Sequence, residues 1–252
     1  MISAVVISFN EAEKLENCLK SIENFADELV VIDLGSSDNS IKIAKKFKAK
    51  IYHHEFVPYV ESVRNFAISK TGGEWVLILD PDEALTSNLK EKLKEIVKEN
   101  KYDAINIPRK NTFFGRWIAH TNWWPDYHVR FFKKGRVEWT GEIHIYPKAH
   151  GKTLKLPENE NMAIIHYGYD NIKEFIDRQS RYSSIEADQR YKKGERFSWI
   201  NFFWWPTREF LVRYIKHSGF LDGFYGFALT FLMGVFRLMV AIKIWELEKQ
   251  KA

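Results

Sequence analysis

The chain has 252 residues, 45% hydrophobic and 28% charged, which is long enough to bury a full core and too apolar for a disordered class. Its single cysteine, Cys18, excludes an internal disulfide framework and suits a reducing compartment, while a formal net charge of +5 permits an anionic partner without naming one. Nothing near Met1 reads as a secretion signal, and neither G-x-G-x-x-G nor G-x-x-x-x-G-K-[ST] occurs, so a dinucleotide fingerprint and a P-loop are both excluded.

Ala4-Val5-Val6-Ile7 is a short apolar run that ends in Ser8-Phe9-Asn10-Glu11. The helix predicted after it carries Leu15, Cys18, Leu19 and Ile22 on one face, which places Cys18 in the core rather than at a reactive site. A second run, Leu29 to Ile32, ends at Asp33 and turns through Gly35 to Ser40 into a helix with Ile41, Ala44 and Phe47. Strand, polar turn, helix, strand is the order of a parallel α/β sheet, whose ligand site lies beyond the carboxyl ends of its strands. Val60 to Ala67 is predicted helical, with Arg64 and Asn65 adjacent and able to reach one ligand; Arg64 could pair with a diphosphate or with Asp80, or simply lie on the surface. Trp75 to Leu79 reads as a strand buried on both faces, and it stops at Asp80-Pro81-Asp82-Glu83. Pro81 stiffens that turn, and carboxylates so clustered repel unless a positive charge sits among them; a hard divalent cation, Mg²⁺ or Mn²⁺, is the usual answer. Asn88 to Lys101 then reads as an amphipathic helix with a solvated face of Lys and Glu.

From residue 111 the chain turns aromatic, with Trp117, Trp123, Trp124 and Trp139 offering flat faces on which sugar rings can lie, or simply core. The run Ala163-Ile164-Ile165 ends at His166, a structural residue or a further metal ligand. Asn171 and Glu174 stand at capping-box spacing and open a helix. Arg196 to His217 mixes aromatic and basic residues, as at a membrane interface with anionic headgroups; single-stranded nucleic acid is the second choice. Phe224 to Ile242 is apolar except for Thr230 and Arg237. A central charge costs roughly 3 kcal/mol on insertion scales, so a monotopic segment is expected in place of a full span, with a core helix or an oligomer contact as alternatives.

Ser8-Phe9-Asn10-Glu11, Asp33-Leu34-Gly35-Ser36-Ser37-Asp38, Arg64-Asn65-Phe66-Ala67 and Asp80-Pro81-Asp82-Glu83, in that order and spacing, resemble the inverting glycosyltransferases of family 2 with the GT-A fold. The chain looks most like the bacterial branch that builds lipopolysaccharide core and related glycolipids. The resemblance implies that Phe9, Asn10, Glu11 and Asp33 contact the nucleotide of a sugar donor, a UDP-sugar being favoured. It places Arg64 and Asn65 on the base or diphosphate, Asp80 on the ribose or a metal, and Asp82 on the metal, with His166 added from the reading above. Inverting transfer needs a base for the acceptor hydroxyl, and Pro125-Asp126 followed by Arg130 resembles the family's acid-Asp pair with Pro replacing the first acid. Glu142 is the second candidate, in a segment where His144-Ile145 replaces the family's His-Glu. The expectation is therefore a metal-dependent hexosyl transfer to a lipid-linked or glycan acceptor, on the cytoplasmic face of the cell membrane and without nucleic acid. Transfer to a polyprenyl phosphate and a non-catalytic glycolipid-binding protein are the alternatives. Residues 1–110 would form the nucleotide-sugar half, 111–195 the acceptor half with a connecting helix, and 196–252 the membrane-associated tail, through which copies could also associate.

Overall fold

The structure, a computed structural model, describes residues 1–140 and 146–250. The chain forms two compact units, Met1–Lys110 with Pro125–His166, and Asn111–Trp124 with Tyr167–Ala252.

In the first unit β1 (Ile2–Ser8), α1 (Ala12–Ile22), β2 (Glu28–Asp33), α2 (Ser40–Lys46) and β3 (Lys50–His53) follow one another, then α3 (Arg64–Ser69), β4 (Trp75–Leu79), β5 (Glu83–Leu85) and α4 (Ser87–Glu99). Next come β6 (Ala104–Phe113), β7 (Arg116–Trp117), β8 (Asp126–Lys133), β9 (Val137–Glu138), β10 (Lys148–Ala149), β11 (Thr153–Lys155) and β12 (Ile164–Tyr169), of which β7 belongs to the second unit. The main sheet has the order β3-β2-β1-β4-β8-β6-β12-β5. It is parallel from β3 to β4 and antiparallel where β8 meets β4 and β6. This is the mixed, helix-flanked sheet expected of a GT-A domain. Every residue of β1 and of β4 is buried, because helices cover both faces of these central strands. Leu15, Leu19, Leu89 and Leu93 pack on one face; Val63, Ala67, Ile68 and Trp139 pack on the other. The registers Ser8↔Asp33 and Val6↔Leu79 bring the carboxyl ends of β1, β2 and β4 side by side.

Two boundaries differ from the sequence reading for local reasons. The stretch expected as one helix from Val60 is a 3-10 turn, Val60–Ser62, followed by α3 from Arg64. The helix α4 starts at Ser87, where the Thr86 hydroxyl accepts from the Leu89 amide at 3.2 Å, and stops when Asn100 takes a left-handed conformation.

The second unit holds α5 (Ile172–Lys192), α6 (Trp199–Phe210), a π-helical turn Leu211–Lys216, a 3-10 turn Gly219–Asp222 and α7 (Gly223–Gln250). The capping box forms as expected: Asn171 Oδ1 accepts from the Glu174 amide at 2.9 Å and Glu174 Oε2 from the Asp170 amide at 3.0 Å. α7 packs against α5 and α6, and its mid-helix charge is answered there. Arg237 donates to Glu186 of α5 at 2.9 Å and to Glu209 of α6 at 3.0 Å. Residues 219–250 are long and apolar enough to cross a membrane by length and composition, yet 44% of their most apolar window is buried within the protein. Gly226 allows the turn before α7 to close on it, since a Cβ there would lie 1.9 Å from the Gly219 carbonyl oxygen. Gly226→Ala is accordingly expected to cost about 3 kcal/mol, read as a lower thermal midpoint in near-ultraviolet circular dichroism. An unchanged midpoint would show that the turn relaxes without loss.

Candidate active site

The acidic turn after β4 closes on itself, with the Glu83 amide donating to the Asp80 carbonyl and the Asp80 amide to Glu83 Oε2, both at 3.0 Å. Three arginines converge on it from three elements. Arg64 of α3 donates through Nη2 to both Asp80 oxygens, at 2.9 and 3.2 Å. Arg130 of β8 bridges Asp80 at 2.6 Å and Glu83 at 2.8 Å. Arg109 of β6 reaches Glu83 at 3.2 Å and holds Asp126 through Nε and Nη2 at 2.9 and 2.6 Å. The strand period of two puts Asp126 and His128 on one face of β8, Arg130 sits at the irregularity between Val129 and Phe131, and the register sets Arg109 directly opposite Asp126. His128 Nε2 lies 3.0 Å from Asp126 Oδ1. His166, paired with Glu83 in the β12–β5 register, brings Nε2 to 3.4 Å from Asp82.

Burial alone would raise the Asp80 carboxyl, but the charges of Arg130 and Arg64 outweigh it and hold the group far below the usual carboxylate range. Burial also opposes ionisation of Asp126, and Arg109, followed by His128, again wins. Burial and the Arg109 charge push His128 down to about 4, against the pull of Asp126. The thiol of Cys18 is driven well up by burial and by the nearby Glu83, Asp82 and Asp80, which leaves it an inert core residue. A histidine depressed in the fold binds its proton only in the unfolded chain between pH 6.5 and about 4, so stability falls as pH drops through that window. His128→Gln is expected to remove about 2 kcal/mol of this acid sensitivity. Thermal midpoints of both proteins at pH 7 and pH 4.5 test it; equal slopes would refute the assignment.

The loops after β1 and β2 are tied together. Asn10, with φ +54°, accepts through Oδ1 from the Ser37 amide at 2.8 Å and the Asp38 amide at 3.3 Å. Asp33 is buried and accepts from the Gly35 and Ser36 amides, with His53 Nδ1 at 3.3 Å. Glu11 precedes α1, its amide bonded to Ser40 Oγ. Phe9 is 37% exposed against Phe56, ring centroids 4.7 Å apart, which leaves an aromatic face at the carboxyl edge of the sheet. Asn65 spends its amide group on the backbone of Trp139, donating to its carbonyl at 2.7 Å and accepting from its N–H at 3.1 Å. Glu142, the second base candidate, and His144-Ile145 lie outside the described residues.

The model for glycosyl transferase family 2 matches residues 3–150, more than half of the chain. The chain belongs to this family. It is a glycosyltransferase, and its relatives carry the same description. A glycosyltransferase of Rickettsia bellii is 26% identical over 99% of this chain and 87% of its own length. The lipopolysaccharide core biosynthesis glycosyltransferase LpsC of Rhizobium meliloti is 24% identical over all of this chain and 94% of its own. Among solved structures, S. aureus TarS 1-349 aligns with a TM-score of 0.47 at 14% identity, over 74% of this chain and 63% of that one.

In this family 2 glycosyltransferase a divalent cation is the implied cofactor, and the donor chemistry divides the expected ligands. Among the described residues no three His, Cys, Asp or Glu side chains converge as a metal site. Asp80 gives both oxygens to guanidinium groups, whereas Asp82 and His166 face each other. One carboxylate and one imidazole is a donor pair that suits Mn²⁺ better than Mg²⁺, which prefers oxygen ligands alone. Arg64 Nη1 and Arg130 Nε are buried without a hydrogen-bond partner, so the cluster retains unused cationic donors beside Asp80. Arg109, His128 and the fully buried Glu83 were missed as site residues. The spacing of Asp126 and His128 was the available signal for one of them; Arg109 shows only as the first of two adjacent cations, Arg109-Lys110, after Pro108 in a strand.

Proposed function

We propose that this glycosyltransferase moves a sugar from a nucleotide-sugar, preferably a UDP-sugar, to a hydroxyl of a lipid-linked glycan, with inversion at the anomeric carbon. The observation that carries the reading is the buried knot of Asp80, Glu83, Arg64, Arg109 and Arg130 at the carboxyl end of β4, with Asp82 and His166 beside it. Such a knot fixes charge in advance where a diphosphate must be held. Asp82 and His166 would hold the divalent cation, which when bound neutralises charge developing on the departing nucleotide diphosphate. Arg64 and Arg130 keep Asp80 ionised and oriented toward the donor. Phe9, Asn10, Glu11 and Asp33 line the loops that would receive the nucleotide, and Asn65 positions the Trp139 segment.

Asp126 is the proposed base. The acceptor oxygen bonds to the anomeric carbon as the bond from that carbon to the diphosphate breaks on the opposite face, and the hydroxyl proton passes to the carboxylate. Arg109 keeps Asp126 ionised at neutral pH and sets its direction, so it accepts the proton late, when the leaving bond is largely broken. Glu142 stays the second candidate.

The second unit supports a place at the membrane, cytoplasmic and peripheral or monotopic, because large apolar side chains on α6 and α7 face outward: Ile200 is 78% exposed and Phe224 78%. Lipopolysaccharide-type acceptors would be met there. The test is nucleotide release across UDP- and GDP-sugars with Mn²⁺ or Mg²⁺, supplied with membrane extract as acceptor. Metal-dependent release from one donor, lost in Asp126→Asn, is the expected result; no release from any donor would sink the proposal.

A further inference from the structure

Between α6 and α7 runs a groove of about 400 Å³ lined by Pro206, Phe210, Leu211, Phe231, Gly234 and Leu238, with Thr207 and Val235. Its one polar side chain is already satisfied, since the Thr207 hydroxyl donates to the Phe203 carbonyl at 2.7 Å. Gly234 sets its depth, because a Cβ there would begin to fill the space beside the Pro206 carbonyl. Outward-facing Phe203, Trp204, Ile215, Phe227 and Phe231 stand on the same two helices and the turn between them. The charges of this stretch are sorted by sign. Of its acids, Glu209 is bound by Arg213 and Arg237, and Asp222 by His120 and the backbone amides of Ala119 and His120. The exposed charges between residues 199 and 242 are Arg208 and Lys216, both positive.

An apolar slot without hydrogen-bonding sockets does not suit a peptide strand or a polar ligand, and two exposed cations on the same stretch do not suit a basic partner. It matches a hydrocarbon chain whose headgroup is negative. We infer that the α6–α7 groove binds one acyl chain of an anionic bilayer phospholipid, with Arg208 and Lys216 at its headgroup. The inference rests on the membrane placement proposed above and adds a defined lipid site to it. A chain lodged there holds the second unit at a fixed depth, which apolar side chains spread over a surface do not do by themselves.

The experiment uses the full chain on vesicles of phosphatidylcholine and phosphatidylglycerol in which the acyl-chain diazirine is carried either by phosphatidylglycerol or, at the same mole fraction, by phosphatidylcholine. Photocross-links are mapped by peptide mass spectrometry. The expected result is labelling of peptides holding residues 206–211 and 231–238, stronger when phosphatidylglycerol carries the diazirine. Val235→Trp, or Leu238→Trp if the first variant misfolds, is expected to cut that labelling at least about tenfold, the worth of two buried methylenes, while vesicle co-sedimentation persists. Arg208→Glu with Lys216→Glu is expected to remove the preference for the anionic lipid. Co-sedimentation with labels only outside the groove, or labels unchanged in the tryptophan variants, overturns the inference and leaves membrane placement standing. Absence of co-sedimentation overturns both, and so does a dimer by light scattering that blocks labelling, since a second copy then covers this face. Nucleotide release with water as acceptor, measured on the same variants, reports the transfer chemistry separately and is expected to be unchanged.

Discussion

Arg130→Ala is expected to lower the thermal midpoint by roughly 10 °C, the effect of leaving buried carboxylates uncompensated in a protein of this size. Arg130 is 4% exposed and its Nη2 alone bridges Asp80 and Glu83, of which Glu83 is fully buried. Removing the guanidinium leaves Asp80 with Arg64, and Glu83 with a 3.2 Å contact to Arg109. Both acids then sit in the interior with more negative charge than positive. Arg130→Lys is expected to recover only part of the loss, because the shorter and more strongly hydrated ammonium group must replace a buried Nη2 that bonds both carboxylates. Differential scanning calorimetry decides the matter. A shift of a degree or two in the alanine variant would mean that the turn relaxes and that the knot is not a structural keystone.

Asp82→Ala is expected to reduce metal-stimulated nucleotide release by about 100-fold or more, the usual cost of losing one preorganised electrostatic contact at a departing group. His166→Ala should cost less, roughly tenfold, and raise the Mn²⁺ concentration for half-maximal release. Asp80→Ala is expected to behave differently from both. Its oxygens belong to Arg64 and Arg130, so its loss should cost stability as well as turnover. A Mn²⁺ titration of release across the three variants separates these roles. An Asp82→Ala protein with the metal dependence of the wild type would remove the cation from this position.

The parts of this molecule that were readable from sequence are those in which one local pattern has one physical meaning. The buried runs of β1, β2 and β4 had to be central strands, and the polar residues at their ends had to share an edge, as the registers Ser8↔Asp33 and Val6↔Leu79 show. The acidic turn at Asp80 was visible as an abrupt stop in an apolar run. The answer to its charge was visible only in part, as the pairing of Arg64 with Asp80. Beside the carboxylates where a divalent cation is expected stand three arginines, two of them carried in by β6 and β8 from more than twenty residues downstream. Which strand lies next to which is a long-range pairing, and neither Arg109 nor the tie between Asn65 and Trp139 has a signature in its own neighbourhood. The partners of Arg237 were out of sight for the same reason. Taken alone it made the apolar stretch costly to insert, while its partners Glu186 and Glu209 lie on helices that composition treats separately.

That ladder also bears on the order of events during synthesis. α5 and α6 precede α7 in the chain, and a chain emerges from its amino-terminal side, so both acids are already made when the apolar helix appears. The ribosome thus delivers α7 to a waiting pair of counter-charges. A helix claimed in this way keeps one side against its own protein from the moment it folds.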